Sequence, residues 1–217
     1  MKFIENKPHK GMGVLQAGQP LEKAKAGMLM VHGRGASAED ILTLVDELDH
    51  PDFTYLAPQA HGNTWYPYPF QAPLERNEPW LSSALAAIGA VMDILSENGL
   101  PAEKVILLGF SQGACLALEY AARNACRYGG LVGLSGGLIG PAGTPRNYAG
   151  SLDSTPIFLG CSDMDPHIPM ESVHESKRVL AELGGVVTVR FYPHLGHTVN
   201  QDEIGFVRQM MGKIDQE

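Results

Sequence analysis

The chain has 217 residues, of which 44% are hydrophobic and 18% charged, enough for one domain that buries about 70% of its unfolded surface. A formal net charge of −8 without runs of like charge argues against nucleic acid and anionic membranes as partners. Three cysteines without zinc spacing exclude a disulfide framework and point to a reducing, cytoplasmic setting.

The amino-terminal stretch Met1–Pro8 has no apolar core of signal-peptide length, and no apolar run approaches membrane-spanning length. A short strand is expected near Gly13–Ala17, followed by apolar runs at Met28–Val31 and Phe53–Ala57. Between these two, Ser37 reads as the N-cap of a helix with Asp40 three residues on and Ile41, Leu44, Val45 and Leu48 on one face. The next helix carries Leu81, Ala84, Leu85, Ile88, Val91, Met92 and Leu95, opened by Pro79 and closed by Gly99 and Pro101. Further strands are expected at Val105–Phe110, Leu131–Leu134, Ile157–Leu159 and Val186–Tyr192, with helices after Ser111 and near Ser172–Leu183 and Glu203–Ile214. Alternating strands and helices specify an α/β fold with a mostly parallel central sheet flanked by helices. No repeat or linker divides it, so residues 1–217 are read as one domain. Cys115, Cys126 and Cys161 are expected to be small buried hydrophobes.

Gly109-Phe110-Ser111-Gln112-Gly113 stands between an apolar strand and an alanine-rich helix. Strand, sharp turn and helix place a serine hydroxyl at the tip of a strained bend, the nucleophile elbow of α/β-hydrolases. A second match, Gly133-Leu134-Ser135-Gly136-Gly137, also follows an apolar strand. The Gly- and Pro-rich stretch behind it, through Pro145, excludes a helix. Ser135 therefore lacks the helix N-terminus that would stabilise an oxyanion, and Ser111 is the expected nucleophile.

A nucleophilic serine needs a base and an orienting carboxylate, which follow in the order Ser, acid, His in this architecture. After the Ile157–Leu159 strand, Asp163 and Asp165 compete for the acid, and Asp165 is favoured because Pro166 and Pro169 would stiffen its loop. Asp163 then reads as a loop-stabilising acceptor. His197 is the expected base; His194 is its local rival, and Gly196 lets the backbone bend beside His197. Two histidines three apart without a third ligand make a poor zinc site, and the chemistry requires neither metal nor cofactor. The expected oxyanion donors are the backbone N–H of Gln112 and that of Arg34 in His32-Gly33-Arg34-Gly35-Ala36.

The aromatic, proline-rich segment Asn63–Pro73 is expected to overhang the cleft, with Trp65, Tyr66 and Phe70 as an apolar wall for the substrate. The alternative is that its rings pack under the sheet edge. Gly136–Pro145 is read as part of the opposite wall. The Arg34 side chain either attracts a negatively charged substrate or faces solvent, and His61 and His167 read as loop residues near the cleft.

Taken together, His32-Gly33-Arg34-Gly35, Ala57-Pro58, Trp65-Tyr66, Gly109-Phe110-Ser111-Gln112-Gly113-Ala114, Asp165-Pro166-His167-Ile168-Pro169 and Gly196-His197 resemble the phospholipase/carboxylesterase family. This family includes acyl-protein thioesterases and small bacterial carboxylesterases. The resemblance implies a compact α/β-hydrolase without a large cap domain, a Ser111–Asp165–His197 triad, and a small-molecule ester as partner. Lysophospholipid or acyl-thioester hydrolysis is the alternative. Arg34-Gly35-Ala36 departs from the Leu-Gly-Asp usual in acyl-protein thioesterases, which favours a small-molecule ester over protein depalmitoylation.

Overall fold

The computed structural model describes residues 8–214, so the stretch before Pro8, which is read as having no signal-peptide core, lies outside the described residues. Seven strands form one sheet in the order β1-β3-β2-β4-β5-β6-β7. These are β1 (Val14–Gly18), β2 (Ala26–Val31), β3 (Phe53–Pro58), β4 (Val105–Phe110), β5 (Gly130–Leu134), β6 (Pro156–Ser162) and β7 (Val186–Tyr192). Only the edge strand β1 runs antiparallel, pairing Val14 with Pro58 and Gly18 with Thr54. All other pairings are parallel; helices connect β2 to β3, β3 to β4, β4 to β5 and β6 to β7, whereas β5 reaches β6 through the loop 135–155.

Burial on both faces explains why the central strands are continuous apolar runs rather than alternating ones. Val105, Ile106, Leu107 and Leu108 of β4 are all fully buried. On one face pack α3 (Trp80–Glu97), α4 (Gln112–Arg123) and α5 (Met170–Glu182). The other carries α1 (Ala38–Leu42), α2 (Val45–Leu48) and α6 (Gln201–Ile214). Helix α3 is long and apolar enough, by length and composition, to cross a membrane, which corrects the reading that no stretch approaches that length. Here its Leu81, Ala84, Ile88, Val91, Met92 and Leu95 are buried in the core. Each such large side chain contributes about 1.5–3 kcal/mol.

The helix expected from Ser37 is in fact two. Ser37 caps α1 as foreseen: its Oγ accepts from the Asp40 N–H at 3.2 Å, and Asp40 Oδ2 accepts from the Ser37 N–H at 2.7 Å. Thr43 and Leu44 then bond back three residues rather than four, to Asp40 and Ile41, and the Thr43 hydroxyl donates to the Asp40 carbonyl at 2.7 Å. This tight turn separates α1 from α2, yet Ile41 and Leu48 still reach the same core. Cys115 and Cys161 are buried as expected, but Cys126 is exposed, because it follows the end of α4 in the surface connection to β5.

Helix α6 begins with a second cap. Asn200 Oδ1 accepts from the Asp202 and Glu203 amides, and Glu203 Oε2 accepts from the Asn200 N–H at 2.9 Å. The Glu203 side chain is 1% exposed and lies on Gly160, where a Cβ would sit 2.1 Å from its Oε1. Burial pushes its carboxyl up from 4.5 to about 7, against the Asn200 amide and with help from Asp202. Between those two values the folded state holds a proton that the unfolded chain has lost. Stability therefore falls as pH rises through that window and is flat above it. Glu203→Gln is expected to raise Tm by about 5 °C at pH 8, the equivalent of about 2 kcal/mol, and to change it little at pH 4.5. Thermal melts of both proteins across that range test this; a difference independent of pH would contradict it.

Candidate active site

The carboxyl end of β4 delivers Ser111 to the start of α4. Ser111 has φ 54° and ψ −119°, a strained conformation for a residue with a side chain. Two glycines make the bend possible. A Cβ on Gly109 would lie 2.3 Å from the Gly113 carbonyl oxygen, and one on Gly113 would lie 2.1 Å from the Val31 carbonyl oxygen. Both clashes are with backbone, so no side chain could be accommodated by a rotamer change. The bend is tied down by the Ser111 N–H to the Leu134 carbonyl at 2.9 Å and the Cys115 N–H to the Ser111 carbonyl at 3.0 Å.

Three loops at the carboxyl ends of the strands bring the expected polar residues together. Ser111 Oγ lies 2.8 Å from His197 Nε2, and His197 Nδ1 lies 2.8 Å from Asp165 Oδ2. The Asp165 side chain is fully buried, and its Oδ1 accepts the His167 and Ile168 amides at 2.8 and 3.0 Å. Burial alone would raise this carboxyl, but the His197 contact and the two amides outweigh it and hold it below the usual carboxylate range. The imidazole is flanked by Phe110 and by an edge-on His167, with ring centroids 5.0 and 4.9 Å away. The rivals sit elsewhere: Asp163 Oδ1 accepts the His194 N–H at 2.9 Å, tying the loop after β6 to the loop after β7.

Ser135 also has a positive φ, 52°, but it is followed by loop rather than helix. It is buried, its Oγ has no hydrogen-bond partner among the described residues, and it does not line the cavity over Ser111.

That cavity, about 480 Å³, is lined by Tyr66, Phe70, Ile168, Cys115 and Arg34 among others, with Ser111 and His197 on its surface. Tyr66 and Phe70 thus stand where the wall was expected. Trp65 does not: it is fully buried behind the wall, with its indole N–H donating to the His32 carbonyl at 2.9 Å. Gly136–Pro145 is likewise absent from the lining and instead buttresses the wall, the Gly140 N–H donating to the Phe70 carbonyl at 2.7 Å. Burial pushes the Cys115 thiol up to about 12, so it stays protonated beside the serine.

Two side chains hold the wall in place, and sequence reasoning had given neither this task. Gln112 accepts the Trp65 N–H at 2.9 Å and donates to the Tyr66 carbonyl at 2.8 Å. Arg34 donates to the carbonyls of Tyr66, Pro67 and Tyr68 at 2.8–3.0 Å. Beneath them, buried His32 contacts the Gly33 carbonyl through Nδ1 at 2.8 Å and accepts the Ala60 N–H through Nε2 at 3.1 Å, a pattern suited to a neutral ring. Burial lowers its pKa, which keeps it so. The backbone amides of Arg34 and Gln112 have no acceptor among the described residues. Gly33 packs close enough that a Cβ there would touch the Ser111 Cβ at 3.4 Å. A hydroxyl, an imidazole and a buried carboxylate in series, beside two uncommitted amides, can activate an oxygen nucleophile and receive developing negative charge.

The sequence pattern of the phospholipase/carboxylesterase family matches residues 15–214. Among solved structures, a phospholipase/carboxylesterase from Dyadobacter fermentans DSM 18053 superposes with a TM-score of 0.89 at 42% identity, covering 93% of this chain and 96% of that one. By sequence, the acyl-protein thioesterase 1 of Debaryomyces hansenii is 25% identical over 204 residues, 83% of this chain and 88% of that protein. The Saccharomyces cerevisiae acyl-protein thioesterase 1 is 33% identical over 110 residues, which is 50% of this chain and 48% of that protein.

Proposed function

Because the chain belongs to the phospholipase/carboxylesterase family of α/β-hydrolases, we propose that it hydrolyses carboxylic esters through an acyl-enzyme on Ser111. The observation that carries this reading is the unbroken series Ser111–His197–Asp165, with both contacts at 2.8 Å.

His197 Nε2 takes the Ser111 proton as Oγ attacks the ester carbonyl, and Asp165 stabilises the imidazolium that results. The amides of Arg34 and Gln112 receive the oxyanion, helped by the positive end of α4. His197 then protonates the departing alcohol, leaving the acyl group on Ser111. A water molecule, deprotonated by His197, attacks this ester; the acid leaves and Ser111 regains its proton. Every proton is carried by His197, so the scheme calls for neither metal nor cofactor. The protonated Cys115 thiol supports serine rather than cysteine as nucleophile.

Tyr66 and Phe70 form the apolar wall against the acyl or aryl group. A cavity of about 480 Å³ favours short and medium acyl chains over a long lipid tail. Across p-nitrophenyl esters from acetyl to palmitoyl, kcat/KM is expected to peak at the short end. A maximum at palmitoyl would point instead to lysophospholipid or lipidated thioester substrates, which the same chemistry serves.

A further inference from the structure

The cavity over Ser111 has a charge balance opposite to that of the protein. The chain carries a net −8, yet among the described residues no Asp or Glu lines the cavity, and the residue of fixed charge on its surface is Arg34. Asp165, the acid that contacts His197, has a fully buried side chain held by His197 and two amides.

Arg34 is neither neutralised nor loose. Its guanidinium is held by three backbone carbonyls at 2.8–3.0 Å, and it forms no ion pair among the described residues. Carbonyls are dipoles, so they fix the group without removing its charge. A guanidinium has five N–H donors, and these contacts leave two of them without an acceptor among the described residues. The residue is exposed and lines the cavity. A cation already fixed in place binds an anion without first losing side-chain freedom, which favours tighter binding. The α4 N-terminus adds positive potential on the Ser111 side.

We propose that the site selects esters whose acyl part carries a carboxylate at its far end, that is, monoesters of dicarboxylic acids, with Arg34 receiving the carboxylate. This rests on the esterase reading above, and it follows from one residue having two roles. The Arg34 amide meets the reacting carbonyl oxygen, and its guanidinium lies an arginine side chain away. That separation suits a carboxylate a few carbons beyond the ester carbonyl, as in a glutaryl group. Elsewhere the net negative charge repels such a substrate, so attraction is confined to the site.

The test compares mono-p-nitrophenyl glutarate with p-nitrophenyl valerate, acyl groups of equal length that differ in charge. In the wild type the glutaryl ester is expected to show a kcat/KM about tenfold higher at low salt. That advantage should shrink in 0.5 M NaCl, because an exposed pair is screened. Arg34→Gln should bring the ratio to about one, and Arg34→Lys should keep part of it. Damage to the wall or to the oxyanion amide slows both esters alike, so the ratio isolates the charge. A wild-type ratio at or below one, or a ratio that survives Arg34→Gln, would overturn the proposal. Should Arg34→Gln fail to fold, the wild-type salt response decides: equal responses of the two esters overturn it. Failure of the esterase reading looks different, since neither ester would then be cleaved. In that case calorimetric titration of glutarate into wild type and Arg34→Lys decides, and no binding to the wild type overturns the proposal.

Discussion

Ser111→Ala is expected to lower kcat on a short-chain p-nitrophenyl ester by about 10⁶-fold, with KM and Tm little changed. The size follows from the proposed role of Ser111 in forming the covalent intermediate, since His197 and Asp165 would have nothing to activate once it is gone. The small structural cost follows from the geometry. The positive φ of residue 111 is imposed by the backbone crossings at Gly109 and Gly113, and alanine meets the same strain as serine. Its Oγ makes its contact to His197, not to a structural partner. Residual activity would come from the oxyanion donors and binding alone. A loss of tenfold or less would mean that another group carries the reaction.

Asp165→Asn should be the more informative of the two largest losses, with kcat falling by about 10⁴-fold in an intact fold. Asp165 Oδ1 accepts two backbone amides, from His167 and Ile168, so the oxygen of an asparagine will take that place. Its NH₂ group must then face His197 Nδ1, which becomes an acceptor. The imidazole proton moves to Nε2, and the ring can no longer take a proton from Ser111. Steady-state kinetics on the ester, with circular dichroism to check the fold, measure this. Near-normal kcat would show that the carboxylate orients His197 without governing its tautomer.

The features legible in the sequence were those written locally. The runs Val105–Phe110 and Val186–Tyr192 correspond to strands with those limits: the first is covered on both faces and uniformly apolar, and the second is a partly exposed edge strand rich in β-branched and aromatic residues. Both serines lie between glycines, and it is the helix behind Ser111, against the Gly- and Pro-rich stretch behind Ser135, that separates them within ten residues of each serine. What escaped was contact across the chain. Nothing near Gln112 announces that its amide reaches Trp65 and Tyr66, 47 and 46 residues away. Arg34 reads locally as a solvent or substrate contact, whereas its carbonyl partners lie 32–34 residues on. Trp65 was aromatic enough for a wall, but its indole N–H found a carbonyl in the interior, where a large ring with one polar atom is best satisfied. The break at Thr43 is a local signal that the apolar spacing of Ile41, Leu44, Val45 and Leu48 masked, since the same face continues across it.

In the proposed reaction Ser111 is the residue that becomes acylated. A fluorophosphonate reacts with an activated serine hydroxyl and with little else, so mass mapping of the labelled protein tests the claim most directly. One adduct per chain is expected, on the peptide containing Ser111, lost in Ser111→Ala and sharply slowed in Asp165→Asn. A folded protein that takes no label, or an adduct on Ser135 in place of Ser111, would contradict it.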